Sequence, residues 1–410
     1  MSKSSISLAQ AQALDRSDPL SPLRNRFMLP EGIAYFDGHS LGPLPRLSLE
    51  NQRKAVEDQW GGQIIGGWND AGWIDAPQRV GGKIARLIGA KPHEVIVADS
   101  TSVNLFKLIV AASRLSSRRV LLTETDNFHT DRYIASGAAE FTGLDFQMVQ
   151  RSEIVNAVGP ETNLLLLTHV HYGTAERYDM AAVTKAARDA GAITIWDLCH
   201  STGAVPLRLN EDGVELAVGC GYKYLNGGPG APAFLYVAEH LQDQLLSPLR
   251  GWMGHAAPFD FNTDYEPAPG IDRFLAGTPP ILSLAALEGA IDTFEGVSML
   301  AVWEKSIALF DMFKKLMADR CAEMVCVSPP EPSQRGSHIS FKHPHAFEIC
   351  QALIDRGVVG DFRAPDIIRF GLTPLYLRFE DVWIAVDRCA EILESGSWDQ
   401  PKFSARGKVT

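Results

Sequence analysis

The chain has 410 residues, of which 46% are hydrophobic and 21% are charged, as expected for a globular protein with one large and one small domain. Its 38 basic and 49 acidic residues give a net charge of −11, which argues against a nucleic-acid partner because an acidic chain repels phosphate backbones. No apolar stretch approaches the roughly 20 residues of a membrane helix. Residues 1–18 predict a loose polar lead-in without the apolar core of a signal peptide. The six cysteines are too scattered for a zinc site or a disulfide framework, so we expect a cytoplasmic protein with reduced thiols.

The first well-marked element is a helix that Asp75 can cap, with Pro77 in its first turn and an apolar stripe that ends before Gly89. Apolar, β-rich runs follow at 94–99, 119–125, 164–170, 193–198 and 233–237, with helical patterns at 102–115 and 180–191. Continuous apolar strands that alternate with helices predict an α/β domain with a mostly parallel sheet covered on both faces.

After about residue 280 the pattern changes. A long helical region (281–320) precedes a strand-like run at 338–343, a helix at 345–357, a strand-like run at 367–370 and a last helix near 380–395, while the proline-rich 329–336 predicts a surface loop. We therefore predict a smaller α+β domain. The predicted division is an N-terminal arm at 1–60 that belongs to the small domain, a large domain at 61–285 and the small domain at 286–410.

Polar residues stand where the predicted strands end, which is where ligands bind in open parallel sheets. Ser100, Thr101 and Ser102 follow the first strand and open a helix, so they predict either an anion site or a simple N-cap. Asp197 ends the strand at 193–198, where a carboxylate is costly to bury unless a cation or a hydrogen bond satisfies it. A protonated pyridine nitrogen would be such a partner, and capping of the next turn is the alternative.

Lys223 ends the next apolar run and is followed by Gly227, Gly228 and Gly230. A lysine buried there would be favoured in its neutral, nucleophilic form, which is the form that makes Schiff bases. The glycines let the backbone approach a bulky ring. An anion site, a carboxylate and a lysine at successive strand ends match the phosphate, the ring nitrogen and the aldehyde of pyridoxal phosphate.

Two further segments fit such a site. Phe128 and Asp131 follow the strand at 119–125, and Phe128 could offer a flat face to a ring or belong to the core. Arg369 has apolar neighbours, so we expect a carboxylate partner. Its bidentate fork suits the α-carboxylate of an amino acid, and an interdomain salt bridge is the alternative.

No metal site is predicted. His169 and His171 would share one face of an extended segment, but no third ligand lies at a suitable spacing. Trp68 lies in a glycine-rich stretch that predicts a loop and could provide an aromatic wall for a substrate.

Ten motifs make the chain similar to the bacterial kynureninases from about residue 20 to residue 395. They are YFDGHSLGP (35–43), GWNDAGW (67–73), STSVNLFK (100–107), NFHTDRY (127–133), WDLCHSTGAVP (196–206), YKYLNGGPG (222–230), GWMGH (251–255), AGTPPI (276–281), RGSHISF (335–341) and IIRFGLTPLY (367–376). YKYLNGGPG and GWMGH are the most specific of them.

The resemblance implies the pyridoxal-phosphate-dependent fold type I of the aspartate-aminotransferase superfamily, with a mostly parallel seven-stranded sheet and a smaller α+β domain. It implies a homodimer whose subunits share their active sites. It also implies hydrolysis of the Cβ–Cγ bond of L-kynurenine to anthranilate and L-alanine, a step of tryptophan breakdown.

By position, the resemblance implies a cofactor pocket formed by Thr101, Ser102, Phe128, Asp131, Thr168, Asp197, His200, Tyr222, Lys223, Trp252 and Thr278. It implies substrate binding by Ser40, Trp68, Gly277 and Arg369. Lys223 resembles the Schiff-base lysine, Asp197 the partner of the ring nitrogen, and Tyr222 a phosphate ligand and a candidate acid/base.

The resemblance also assigns the other residues to separate parts of the cofactor and the substrate. Phe128 resembles the residue that stacks on the cofactor ring. Trp252 and Thr278 match positions that reach the phosphate from the neighbouring subunit. The pocket for the aryl ring is matched by Trp68, Gly277 and Thr278, and Arg369 matches the clamp for the substrate carboxylate.

Three histidines depart from the family pattern. His39 stands where the family usually has Asn, His129 where it has Pro, and His171 where it has Asn. These changes could alter substrate preference or pH response, or could be neutral. The alternatives are the same chemistry on 3-hydroxykynurenine or another aryl-keto amino acid, an aminotransferase or cysteine desulfurase, and a binding protein without turnover.

Overall fold

The computed structural model describes residues 6–407. Its α-helices are α1 (Leu8–Ser17), α2 (Arg46–Lys54), α3 (Gly67–Asp70), α4 (Ala76–Ile88), α5 (Thr101–Ala112), α6 (His129–Thr142), α7 (Ile154–Ala157), α8 (Met180–Asp189), α9 (Glu239–Gln242), α10 (Ile281–Ile291), α11 (Met299–Arg320), α12 (Ala346–Asp355), α13 (Phe379–Ser395) and α14 (Pro401–Ser404). Its strands are β1 (Phe27–Met28), β2 (Ala34–Tyr35), β3 (Leu44–Pro45), β4 (Val95–Val97), β5 (Val120–Glu124), β6 (Asp145–Val149), β7 (Thr162–Thr168), β8 (Ile193–Asp197), β9 (Leu216–Gly219), β10 (Phe234–Val237), β11 (Val325–Cys326), β12 (His338–Lys342), β13 (Val358–Val359), β14 (Asp361–Arg363) and β15 (Ile367–Gly371).

A seven-stranded sheet forms the centre of the fold, in the order β4-β10-β9-β8-β7-β5-β6. The pairs from β9 to β6 are parallel, whereas β10 runs antiparallel to both β4 and β9. The predicted mostly parallel, seven-stranded α/β sheet is therefore confirmed. Strands such as β7 are buried along their whole length, which is why they read as continuous apolar runs. The edge strand β6 is partly exposed and carries no such run, so the sequence analysis missed it.

A second sheet is antiparallel and has the order β11-β12-β15-β14. Its register places Arg369 on β15 directly opposite Ser340 on β12 and Asp361 on β14. Helix α12 packs against this sheet, and α13 packs against α11, α12 and α1.

The N-terminal segment differs from the predicted loose lead-in. Residues 8–17 form the helix α1, which a capping box between Ser7 and Gln10 begins, while residues 1–5 lie outside the described part of the chain. The Asp15 carboxylate accepts hydrogen bonds from the first amides of α13, at Phe379 and Glu380. Two orphan donors at that helix start are thereby satisfied, which fixes α1 in place.

Three local predictions need correction. The predicted helical region 281–320 divides into α10 and α11, with a break that contains Gly296. The stretch that contains Trp68 is helical and not a loop, because a π-helical segment, Ala55–Gln63, continues α2 and leads through a 3₁₀ turn into α3. Asp75 occupies the N-cap position of α4, but its carboxylate accepts no capping hydrogen bond. The predicted domain boundaries stay predictions.

Within residues 6–407, none of the helices is both long enough and apolar enough to cross a membrane.

Candidate active site

Lys223 lies in the turn that follows β9, at the carboxyl edge of the seven-stranded sheet. Its Nζ atom is 5.8 Å from the centre of the Phe128 ring and 5.9 Å from that of Tyr222. Phe128 stands between β5 and α6, so two strand ends that are distant in the sequence converge here. The Lys223 side chain is only partly buried, whereas the sequence predicts a buried lysine.

The segment that contains Ser40 packs against the turn that carries Lys223. The amide of Gly42 donates a hydrogen bond to the Tyr222 carbonyl over 2.8 Å. A Cβ atom at position 42 would lie only 2.6 Å from the carbonyl oxygen of Lys223, so this approach requires glycine. The N-terminal segment is therefore part of the wall around Lys223.

Two buried carboxyl groups, Asp131 and Asp197, face each other near Lys223. Asp197 ends β8, and its Oδ1 atom accepts the amide of Cys199 over 2.7 Å. Asp131 lies in the first turn of α6, and the Thr168 hydroxyl donates to its Oδ2 atom over 3.3 Å. Burial and the neighbouring Asp197 carboxylate raise the pKa of Asp131 well above its ordinary value. Two carboxylates this close disfavour each other's negative charge, and a positively charged partner between them would relieve that cost.

Two other polar side chains of this region, His200 and Tyr222, are neutral. His200 is buried, and burial followed by the nearby Lys223 lowers its pKa well below the ordinary range. Burial is also the main cause that raises the pKa of the Tyr222 hydroxyl, which stays a protonated phenol. A neutral imidazole and a neutral phenol thus flank the lysine.

The three hydroxyl residues predicted to form an anion site or an N-cap lie where α5 begins. The Ser100 hydroxyl is the N-cap and accepts the amide of Val103 over 3.4 Å, as one of the two alternatives for this residue predicts. Thr101 and Ser102 are the first helical residues, where backbone amides lack helical partners. The Thr101 hydroxyl lies 3.6 Å from the Cys199 thiol, which places this helix start beside the end of β8.

Arg369 is fully buried and forms an ion pair with Asp361 within one sheet, not between domains. Its Nε atom donates to Asp361 Oδ1 over 2.8 Å, and its Nη2 atom donates to Asp361 Oδ2 and to the Ser40 hydroxyl. Nη1 donates to the Tyr172 carbonyl. The bidentate fork predicted to bind a ligand carboxylate is thus occupied by Asp361, and one N–H of Nη1 remains.

The segment that carries Ser40 brings two further titratable groups to Asp361, and the sequence analysis missed Asp37 and Asp361. His39 Nε2 is 3.5 Å from Asp361 Oδ1, and His39 Nδ1 is 3.6 Å from Asp37 Oδ1. Asp37, His39 and Asp361 lie close enough to share a metal ion, but the Arg369 guanidinium already supplies the positive charge at Asp361. Charged residues in turns usually face solvent, so the sequence gives no signal for this cluster.

The other two unusual histidines flank Phe128 and Tyr172. The His129 ring centre is 4.4 Å from that of Phe128, and the His171 ring centre is 4.9 Å from that of Tyr172. His171 Nδ1 shares a hydrogen bond of 3.0 Å with the Thr174 hydroxyl. Both histidines therefore border the region next to Lys223.

Four predicted site residues lie apart from this cluster. Trp252, Gly277 and Thr278 are exposed and lie on two adjacent segments, which the Met253 amide joins by a hydrogen bond of 3.2 Å to the Ala276 carbonyl. Trp68 packs edge-on against Trp73, with ring centres 5.9 Å apart. Among residues 6–407, no hydrogen bond, ion pair or ring contact joins these four to Lys223.

Comparison with known proteins places this geometry in a family. The family described as "Kynureninase C-terminal domain" matches residues 302–389. The kynureninase of Pseudomonas fluorescens is 47% identical over 408 residues, which cover 97% of this chain and 98% of that protein.

Solved structures show the same fold at low sequence identity. An apo cysteine desulfurase from Thermococcus onnurineus NA1 has a TM-score of 0.79 at 19% identity, over 91% of this chain and 98% of that chain. A C-DES variant with glycine covalently linked to its PLP cofactor has a TM-score of 0.77 at 18% identity, over 90% and 99%. The near-complete match at 47% identity decides the family: the chain belongs to the kynureninases.

Proposed function

We propose that this protein is a pyridoxal-phosphate-dependent hydrolase that cleaves the Cβ–Cγ bond of L-kynurenine, giving anthranilate and L-alanine. The observation that carries the proposal is the 47% identity to a kynureninase over 97% of the chain. The meeting of Lys223, Asp197 and Phe128 at one edge of the sheet supports it independently.

The residues at this edge fit the cofactor. Asp131 and Asp197 are two buried carboxyl groups side by side, an arrangement that a protonated ring nitrogen would complete. The start of α5, with the hydroxyls of Thr101 and Ser102, suits a phosphate group. When bound, the cofactor supplies an electron sink for the carbanion that forms at the substrate Cα.

We assign proton transfer to two residues of the pocket. Lys223 would hold the cofactor aldehyde, and its free amine is the group that would take the proton from the substrate Cα. Asp197 would be the anionic partner of the ring nitrogen, with Asp131, Thr168 and His200 nearby. The phenol of Tyr222, whose ring centre is 5.9 Å from Lys223 Nζ, would donate a proton to the γ-carbonyl oxygen as water adds to that carbonyl.

Substrate binding is assigned to Arg369 and Ser40. Asp361 fixes the plane of the guanidinium by two parallel hydrogen bonds, so the remaining N–H of Nη1 has a defined direction. The substrate carboxylate would accept this N–H end-on. Such a clamp orients the substrate without requiring a conformational search by the arginine.

We further propose a cytoplasmic homodimer in which Trp252, Gly277 and Thr278 serve the neighbouring subunit. Their exposure in the single chain supports this, as do the exposed apolar side chains of Phe261 (80%) and Ile65 (77%). All six cysteines are unpaired, as expected in a reducing compartment. Sedimentation velocity of the purified protein tests the dimer, and a monomer at working concentration would contradict it.

One assay tests the reaction itself. The yellow holoprotein is mixed with L-kynurenine and, separately, with its 3-hydroxy analogue, and anthranilate-type fluorescence and alanine are followed. We expect alanine and anthranilate in equal amounts from L-kynurenine. Glutamate formed with 2-oxoglutarate would indicate an aminotransferase, and no product from either substrate would refute the proposal.

A further inference from the structure

His39 is a fully buried imidazole held between two carboxylates. Its Nδ1 atom lies 3.6 Å from Asp37 Oδ1 and its Nε2 atom lies 3.5 Å from Asp361 Oδ1. Neither ring nitrogen makes a hydrogen bond of good geometry. The backbone of Gly371 packs directly on the ring, since a Cβ atom at position 371 would lie 2.5 Å from His39 Nδ1. The ring is thereby confined to this orientation.

The two carboxylates favour a charged His39 ring, whereas burial favours a neutral one. A neutral imidazole has one donor and one acceptor, whereas a carboxylate only accepts, so one ring nitrogen must direct its lone pair at a carboxylate oxygen. An imidazolium would satisfy both carboxylates. Burial opposes that charge and lowers the pKa of His39, with the Arg369 guanidinium as the second cause. Burial also raises the pKa of Asp37, so burial disfavours the charged forms of both His39 and Asp37.

The groups that face His39 come from four other elements. Asp361 on β14 and Arg369 on β15 are charged, and Arg363 adds a partly exposed ion pair to Asp361 at 2.8 Å. The two other groups are rings: His338 on β12 stacks on His39 with centres 5.4 Å apart, and His200 lies at 6.3 Å.

Both neighbouring imidazoles are neutral, because burial lowers the pKa of His200 and of His338 well below the ordinary range. With His39 neutral, the two carboxylates balance the two guanidinium groups, and Asp37 and Asp361 are the acids. A ligand carboxylate bound at Arg369 adds one negative charge to this buried set. The least costly compensation is a proton on the imidazole that already faces two carboxylates.

We propose that His39 takes up one proton when a carboxylate ligand binds at Arg369, and that His39 is a positioning residue that sets how substrate affinity depends on pH. The proton comes from the buffer and goes to the free ring nitrogen, and no other bond changes. This inference rests on the proposed function, in which Arg369 binds the substrate carboxylate. Its signature is an affinity that falls as pH rises, because deprotonation of His39 restores the excess negative charge.

The first experiment measures KM for L-kynurenine with the holoenzyme from about pH 5.5 to about pH 8. We expect KM of the wild type to rise with pH by up to about tenfold per unit within this window. His39→Asn should remove this dependence. His343→Asn is the matched control, since His343 is a histidine with a single carboxylate partner, Glu323, at 3.7 Å, and it should keep the wild-type profile.

The second experiment needs no turnover. Calorimetric titration of the holoenzyme with L-alanine, in buffers of different ionisation enthalpy, counts the protons taken up per bound molecule. We expect the wild type to take up as much as one proton more than His39→Asn near neutral pH. If that variant does not fold, His39→Gln replaces it. If the wild type takes up no proton when L-alanine binds, the inference is refuted whatever the variants do.

The two hypotheses fail in different ways. Normal cleavage of L-kynurenine with identical pH profiles in wild type and His39→Asn refutes the role of His39 and leaves the proposed function intact. Proton-linked binding of L-alanine without any cleavage of L-kynurenine refutes the proposed function and supports the role of His39.

Discussion

The two buried charge clusters of this protein are organised in opposite ways. Beside Lys223, Asp131 and Asp197 lie next to each other, so acid faces acid, and burial together with this neighbour raises the pKa of Asp131. On the second sheet, acids alternate with bases, and the nearby His39 and Arg369 outweigh burial and hold the pKa of Asp361 well below its ordinary value. The first arrangement would be completed by the ring nitrogen of the proposed cofactor. In the second cluster the carboxylates and guanidinium groups neutralise each other without a ligand. This suits a ligand that enters and leaves in every turnover.

Removal of Lys223 should have the largest effect, because it removes the covalent anchor and the base together. For Lys223→Ala we expect a loss of kcat of about 10⁴-fold and loss of the yellow colour of the protein. The measurement is anthranilate fluorescence with the absorbance spectrum. Lys342→Ala, on the exposed end of β12, is the control and should retain both. Full activity of the Lys223 variant would exclude the assigned role.

Asp361→Asn tests the cluster of opposite charges around Arg369. Loss of this carboxylate leaves the buried Arg369 charge without its partner, so we expect the free energy of unfolding to fall by about 3–5 kcal/mol. KM for L-kynurenine should also rise. Denaturant unfolding measures the change. Asp366→Asn removes a partner of the exposed Lys342, at 3.1 Å, and should cost at most about 1 kcal/mol. Equal losses in the two variants would contradict the distinction between the clusters.

Asp197→Asn tests the acid pair. The variant should keep its cofactor, while kcat falls by about 10²–10³-fold because the ring nitrogen loses its anionic partner. Asp131→Asn should reduce kcat less, since burial and the neighbouring Asp197 raise the pKa of Asp131 and so disfavour the negative charge that this substitution removes. Steady-state kinetics and the bound-cofactor spectrum decide this. A larger loss from position 131 than from position 197 would reverse the assignment.

The smallest effect of a single substitution is expected at His338 and concerns acid stability. Burial lowers the pKa of His39, His200 and His338 below the ordinary value of 6.5, so the unfolded chain binds protons that the folded chain cannot bind. The stability is therefore complete above this value and is lost as the pH falls, by up to about 1.4 kcal/mol per pH unit for each histidine. Denaturant unfolding at several pH values measures the slope. His338→Asn should reduce it, and an unchanged slope would count against a neutral His338.

The sequence pattern predicts part of the candidate site. Asp197 and Lys223 each end an apolar run, and strand ends meet at one edge of a parallel sheet, so their proximity follows from the pattern. Asp361 has no such signal. Its burial depends on the register of β14 against β15, which only the folded sheet establishes.

The remaining misses have local causes. The capping box of Ser7 and Gln10 is visible in the sequence, yet the polar composition of the segment suggested a loose arm and hid α1. The strand β6 is exposed on one edge and lacks an apolar run. Trp252 and Thr278 resemble cofactor-pocket residues, but a single chain does not place them beside Lys223.

The pairing of β2 with β13 has a consequence for how the protein is made. Ala34 and Tyr35 lie in parallel register with Val358 and Val359, and the Phe36 amide donates to the Val359 carbonyl. Residues 34–35 can therefore form their strand only after residues 358–359, more than 300 positions later in the chain, have left the ribosome. Translation intermediates should expose residues 34–35 to chaperones and proteases until residues 358–359 have been synthesised.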